Sequence, residues 1–202
     1  MTTPTKAYPV NIRGELTIPP GQWVWIFKWL LAIPHYIVLC FLSVASVVCW
    51  VIALFAILFT GKYPKGLFDF NLGVLRWWWR VGFYSYQALG TDKYPPFSLD
   101  PDPNYPADLD VKYPEKLSNG LVLVKWWLLA IPHWIIVGFF QGYRGFGLVT
   151  VLALISGIIL LFTGKYPPDI FKLVIGLDRW SFRLYGYALL MTDEYPPFRL
   201  DE

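Results

Sequence analysis

One block of residues occurs twice in this chain. Lys28-Trp29-Leu30-Leu31-Ala32-Ile33-Pro34-His35 returns as Lys125-Trp126-Trp127-Leu128-Leu129-Ala130-Ile131-Pro132-His133, with one Trp inserted. The order then continues: Leu58-Phe59-Thr60-Gly61-Lys62-Tyr63-Pro64 is matched by Leu161-Phe162-Thr163-Gly164-Lys165-Tyr166-Pro167, and Arg76-Trp77 with Arg80 by Arg179-Trp180 with Arg183. Both copies close alike, Thr91-Asp92-Lys93-Tyr94-Pro95-Pro96-Phe97 against Thr192-Asp193-Glu194-Tyr195-Pro196-Pro197-Phe198. A match this long and ordered is an internal duplication, which requires two like units that bury a shared surface. The boundaries follow from the matches: a tail at 1–7, unit one at 8–100, a Pro/Asp-rich linker at 101–104 and unit two at 105–202.

What surrounds those units is set by composition. Apolar residues make up 56% of the 202 positions and charged residues 15%, outside the usual soluble range. Eleven Trp and thirteen Tyr match the enrichment of amphipathic rings at membrane–water interfaces. A net charge of +3, from 17 Lys+Arg against 14 Asp+Glu, supplies no general basic field, so nucleic acid is not an expected partner. The polar, proline-bearing start lacks the pattern of a secretory signal, and the N-terminus is expected in the cytoplasm. Cys40 and Cys49, present in unit one alone, read as small buried hydrophobes.

The doubled LLAIPH, LFTGKYP, RW and TD-x-YPPF blocks resemble the bacterial domain-of-unknown-function family numbered 4389, over nearly the whole chain. The resemblance implies a bacterial, inner-membrane location. It brings no activity and no site, so function has to be argued from residues.

Each unit opens with period-two alternation, at Tyr8, Val10, Ile12 and Leu16, and at Tyr105, Ala107, Leu109, Val111 and Tyr113, which predicts half-buried strands. The closing Phe97-Ser98-Leu99 and Phe198-Arg199-Leu200 predict edge strands or extended arms, and a small surface sheet assembled from both units is expected. The apolar run 23–60 is long enough for two crossings, and the polar loop around Gln141, Tyr143 and Arg144 marks where the matching run of unit two divides. A transmembrane or re-entrant helical hairpin is therefore expected in each unit, divided near Ser43 and Ser46 in the first. The competing form has 23–33 flat on the surface and one long tilted helix from Pro34 to Thr60. Lys28 is expected to snorkel to headgroups. Gly61 and Gly164 suit left-handed caps. The third elements, 67–89 and 170–190, carry Arg76/Arg80 and Arg179/Arg183 four residues apart on one face, which predicts in-plane amphipathic helices.

The fold class is thus a mainly α membrane protein of two tandem repeats, with short β arms and a pseudo-two-fold axis along the membrane normal. Its termini are cytoplasmic and it is multi-pass in the bacterial inner membrane. Candidate lipid-headgroup ligands are Arg76, Arg80, Arg179, Arg183, Lys62, Lys165, Trp77 and Trp180, whose planar donors and indoles suit anionic phosphates. His35 and His133 are a possible ligand pair, with haem as the alternative to no cofactor; the plainer reading has each bonding a carbonyl freed by its proline. No metal cluster and no nucleophile–base spacing is present, and Asp92 and Asp193 read as turn formers. The expected role is non-catalytic: a scaffold or accessory subunit that organises lipid or a partner complex at the cytoplasmic face. Its partners would be anionic lipids and a membrane protein or a second copy. A small transporter or channel component is the alternative, and a haem or quinone carrier the third reading.

Overall fold

A computed structural model describes residues 8–17, 20–142 and 146–201. The tail at 1–7 and Arg144 lie outside the described residues. Among the latter the chain is mainly helical: β1 (Val10–Gly14), α1 (Lys28–Thr60), α2 (Lys65–Tyr84), β2 (Ala107–Val111), α3 (Ile131–Gln141), α4 (Leu148–Thr163) and α5 (Pro168–Ala188). Short 3₁₀ turns, Val24–Phe27 and Leu121–Leu123, lead into the two long apolar segments.

The expected sheet forms from one strand of each unit. β1 and β2 pair antiparallel, with Ile12 opposite Leu109 at the centre of the ladder. Those two positions are equivalent in the duplication, being spaced as Tyr8 is from Tyr105. The local two-fold axis therefore runs through that pair. Val10, Ile12, Ala107, Leu109 and Val111 turn inward and are buried, while alternate residues face out.

In unit one the expected hairpin is not formed. α1 is a single 33-residue helix that begins before Pro34 and runs through Ser43 and Ser46. Those serines make no turn, since neither Gly nor Pro accompanies them. Ser43 Oγ accepts from Trp78 Nε1 at 3.1 Å and Ser46 Oγ donates to Asn71 Oδ1 at 2.6 Å, so both serve the contact with α2. The single-helix form is the one that holds, although the helix starts at Lys28. Gly61 ends α1 at φ 67° and Gly164 ends α4 at φ 68°, the left-handed caps expected.

Unit two keeps the same path with extra residues. The inserted Trp falls in a π-helical turn, Lys125–Leu129, where Leu129 N–H reaches Val124 O five residues back at 3.2 Å. From His35 to Thr60 is 25 positions and from His133 to Thr163 is 30, and the five-residue surplus lies between α3 and α4. Gly142, at φ 70°, and Gly147 abut backbone to backbone, so the chain leaves the helix and returns to the same place. α3 and α4 both pack on α5, as α1 packs on α2. They form one interrupted helix rather than a reversing hairpin. Among the described residues, Val24–Thr60 alone is long and apolar enough to cross a membrane.

The result is layered. α1 and α3–α4 lie outside, α2 and α5 lie in the middle, and the arms and sheet cover the opposite side. α2 and α5 are consequently core helices and not surface in-plane ones. Trp79, fully buried, packs edge-on against Phe83 and Phe182 and donates to Arg13 O at 2.8 Å. Cys40 is exposed on α1 and Cys49 half-buried, contrary to their expected burial.

Candidate functional site

Three constellations recur at equivalent positions and fasten the closing arms to the helices. The first joins the start of each long helix to the Thr-Asp turn. Lys28 Nζ meets Asp92 Oδ1 at 2.8 Å and donates to Thr91 O at 2.7 Å; Lys125 Nζ meets Asp193 Oδ1 at 2.7 Å and donates to Thr192 O at 2.9 Å. Both ammonium groups are fully buried, under Tyr84 and Tyr187, so Lys28 does not snorkel. The threonines accept from the amides two residues on, as turn formers do, at 3.1 Å in each unit. The second carboxylate oxygens accept from Gly21 N–H (2.5 Å) and Ser118 N–H (2.6 Å), again equivalent positions.

The second constellation holds the histidines apart in separate aromatic boxes. His35 Nδ1 accepts from Trp77 Nε1 at 3.0 Å and its ring stacks on Phe97; His133 Nδ1 accepts from Trp180 Nε1 at 2.9 Å and stacks on Phe198. The partner is an indole, not a carbonyl freed by proline. With Nδ1 accepting, each imidazole is the neutral Nε2–H tautomer. Trp77 and Trp180 are thereby committed to the interior.

The arginines form the third. Arg76 Nη1 donates to Leu99 O at 2.9 Å, and Arg80 to Ser98 O and Asp100 O at 3.3 and 2.8 Å. Arg179 Nη1 donates to Leu200 O at 2.9 Å, and Arg183 to Arg199 O and Asp201 O at 3.1 and 2.7 Å. Each pair clamps three successive carbonyls of its closing arm. Room for the arm comes from glycine: a Cβ at Gly73 would stand 2.7 Å from Leu99 Cβ, and one at Gly176 3.0 Å from Leu200 Cβ. In unit one Asp108 adds ion pairs to Arg76 (3.0 Å) and Arg80 (3.4 Å). Arg76, Arg80 and Arg183 are buried and Arg179 is half-buried. They face inward, and the headgroup stripe predicted for them is not presented to the surroundings. The signal was legible in the repeated Gly-x-x-Arg-x-x-x-Arg spacing; its target, a strand-like arm about twenty residues on, was not.

Lys62 and Lys165, at the ends of the long helices, are exposed. Along α1 the outer side is apolar over its whole length, from Trp29 and Ile33 through Phe41, Val44 and Val48 to Phe55 and Phe59, all exposed. Ile135, Phe139, Val151, Ile158 and Phe162 continue it on α3 and α4. The opposite side is polar: Asp100, Asp110, Lys112, Glu115 and Lys116 are exposed there. It holds a cleft of about 690 Å³ lined by Tyr8, Lys112, Glu115, Asp193 and Glu194. The Tyr8-Pro9 and Tyr113-Pro114 segments line it as well. Tyr8 OH donates to Glu194 O at 2.8 Å and Tyr105 OH to Lys93 O at 3.2 Å, and burial holds both phenols well above their usual titration range, as neutral donors.

A family model described as a domain of unknown function, DUF4389, matches residues 23–98 and 122–199, one segment in each unit. No curated protein and no solved structure matches the chain. The two matched segments hold the lysine, histidine and arginine side chains of these constellations in both units, and the chain is a tandem-repeat member of the DUF4389 family.

Proposed function

We propose that the protein is a non-catalytic membrane scaffold of the bacterial inner membrane, lying in one leaflet with α1 and α3–α4 in the hydrocarbon and the arms and sheet toward the cytoplasm. The observation that carries this reading is the depth of the charges. Asp108 pairs with Arg76, one residue from Trp77 and two from Trp78, which touch α1 at His35 and Ser43; Asp110 follows in the same strand. These acids stand level with the stretch of α1 between His35 and Ser43. A helix set across the bilayer would carry them into the hydrocarbon, where a charge at depth costs about 3 kcal/mol or more. Laid in the interface plane, the same molecule puts the exposed apolar side of α1 and α3–α4 in lipid and Asp110, on the opposite side, in water.

Exposed Trp23, Trp29 and Trp127 suit the headgroup boundary, and Lys62 and Lys165 suit anionic lipid there, at about 1 kcal/mol each. The arm-rimmed cleft is the platform a partner would meet.

Cysteine labelling tests the orientation. In a background with Cys40 and Cys49 replaced by Ser, Gln22→Cys, Lys62→Cys and Asp110→Cys are each expected to react with a membrane-impermeant maleimide from the cytoplasmic side alone. Labelling of Gln22→Cys and Lys62→Cys from opposite sides would establish a crossing and reject the in-plane reading. Release of the protein by carbonate washing would reject the membrane reading altogether.

A further inference from the structure

Because the chain carries two copies of one unit, each copy shows what the other needs for packing. Three differences between them meet in one place. Unit one spends seven positions from Tyr84 to Thr91 where unit two spends five from Tyr187 to Thr192, and Gln87 stands in the surplus. Gln141 stands at the head of the five-residue excursion of unit two. Asp178 occupies the place that Leu75 fills in unit one.

Gln87 Nε2 donates to Asp178 Oδ1 at 2.7 Å and Gln141 Nε2 donates to the same oxygen at 3.0 Å and to Ser181 Oγ at 2.9 Å. Asp178 is fully buried, and among the described residues its Oδ2 has no hydrogen-bond partner. A buried carboxyl left half-satisfied costs stability. Packing does not call for it, since Leu75 closes the equivalent place without a polar atom.

Gln87 and Gln141 both line two cavities on either side of Trp78. One, of about 180 Å³, is walled by Tyr36, Ser85 and Tyr86; the other, of about 270 Å³, by Leu75, Phe182 and Tyr185. The Gln87 carbonyl lies against Gly82, in space that any Cβ there would fill. The first cavity shares Tyr86 with an apolar groove of about 510 Å³ bounded by Trp29, Phe146 and Leu154. It shares Tyr36 and Trp78 with another, of about 410 Å³, bounded by Cys40, Val44 and Val47. The outer apolar face thus leads into a floor of amides and hydroxyls backed by one carboxyl. Among the described residues, no Lys or Arg lines any of the four.

We propose that this cleft binds an uncharged amphiphile taken from the bilayer, its hydroxyl- or carbonyl-bearing head on Gln87 and Gln141 and its chain in the groove beside α1. The inference rests on the membrane reading above. Apolar walls with a few convergent polar groups are the usual form of a small-molecule site. A phosphate head is disfavoured because no described Lys or Arg lines the cleft to pair with it. Two membrane components share the favoured chemistry, a long-chain quinol and a diacylglycerol.

Native mass spectrometry of the detergent-purified full chain tests it, with a decyl-chain benzoquinol, 1,2-dioctanoylglycerol and dihexanoylphosphatidic acid as probes. A saturable one-to-one adduct is expected with at least one neutral probe, and which one identifies the source. Binding is expected to weaken about tenfold in Gln141→Ala and in Asp178→Leu, the latter copying unit one. Gln87→Ala gives a second reading should Asp178→Leu fold poorly. The proposal is overturned if neither neutral probe forms the adduct, if phosphatidic acid binds as tightly, or if Gln87→Ala and Gln141→Ala bind like the parent. A protein that stays membrane-bound after carbonate washing yet takes no probe loses this inference and keeps the scaffold reading.

Discussion

Unit one carries its long helix without a break, and unit two carries the same helix with a π turn near its start and an excursion in its middle. The fastenings nevertheless agree within about two tenths of an ångström: 2.8 and 2.7 Å for Lys–Asp, 3.0 and 2.9 Å for Trp–His, 2.7 and 2.9 Å for Lys–Thr. The extra residues of unit two's long helix are absorbed where that helix faces outward, because a bulge there displaces no packed neighbour. They are excluded from the span between the Thr-Asp turn and the arginine-clamped arm, whose length is the same in both units. What two copies share is therefore the device that holds helix to arm, and what they do not share marks where packing leaves a choice.

That comparison can be broken first at the lysines. Asp92→Ala and Asp193→Ala each leave a buried ammonium without its carboxylate, and each should lower unfolding free energy in detergent by about 3–5 kcal/mol. Equal losses uphold the equivalence of the units; a difference above about 1 kcal/mol would show that one unit leans on the fastening more than the other.

Asp178 sharpens the asymmetry through pH. Burial raises its carboxyl to about 7 from the usual 3.8, against the lowering effect of the Gln141 and Gln87 amides. Tyr185 and Tyr166, the phenols that feel its charge, titrate far higher. Between about pH 4 and pH 7 the folded state holds the proton that the unfolded chain has released, so stability is greatest in acid and falls as pH rises through that window, then levels. The loss is on the order of 4 kcal/mol. Thermal unfolding of Asp178→Asn should show that slope removed, and a slope that survives would assign it elsewhere.

Smaller effects come from the clamps. Arg80→Met and Arg183→Met each orphan arm carbonyls, for about 1–3 kcal/mol, with Arg80 the larger because Asp108 also loses one of its two arginine partners. Limited trypsin digestion should cut first at Lys93 in the former and at Arg199 in the latter. Smallest is the π turn. Deleting Trp127 restores the unit-one spacing and should change stability by no more than about 1 kcal/mol, read from the same thermal curves. A large loss would mean that Trp127 does more than occupy a bulge.

How much of this was legible in the residues depended on range. The duplication, the two inward-facing strands, the left-handed glycine caps and the Thr-Asp turns follow from spacing and local chemistry, which act over a few residues and are written in order along the chain. The division of 23–60 was misjudged because Ser43 and Ser46 look like a weak turn until Trp78 and Asn71 arrive to bond them. The arginines were misjudged for the same reason. An i, i+4 pair states which face two guanidiniums share, and nothing within reach of that spacing says whether phosphates or the carbonyls of a distant arm will fill it. Local pattern named the elements and their periodic faces; contacts between segments twenty to a hundred residues apart chose which groups are buried, because a buried charge is settled by whatever donor or acceptor the folded chain brings to it.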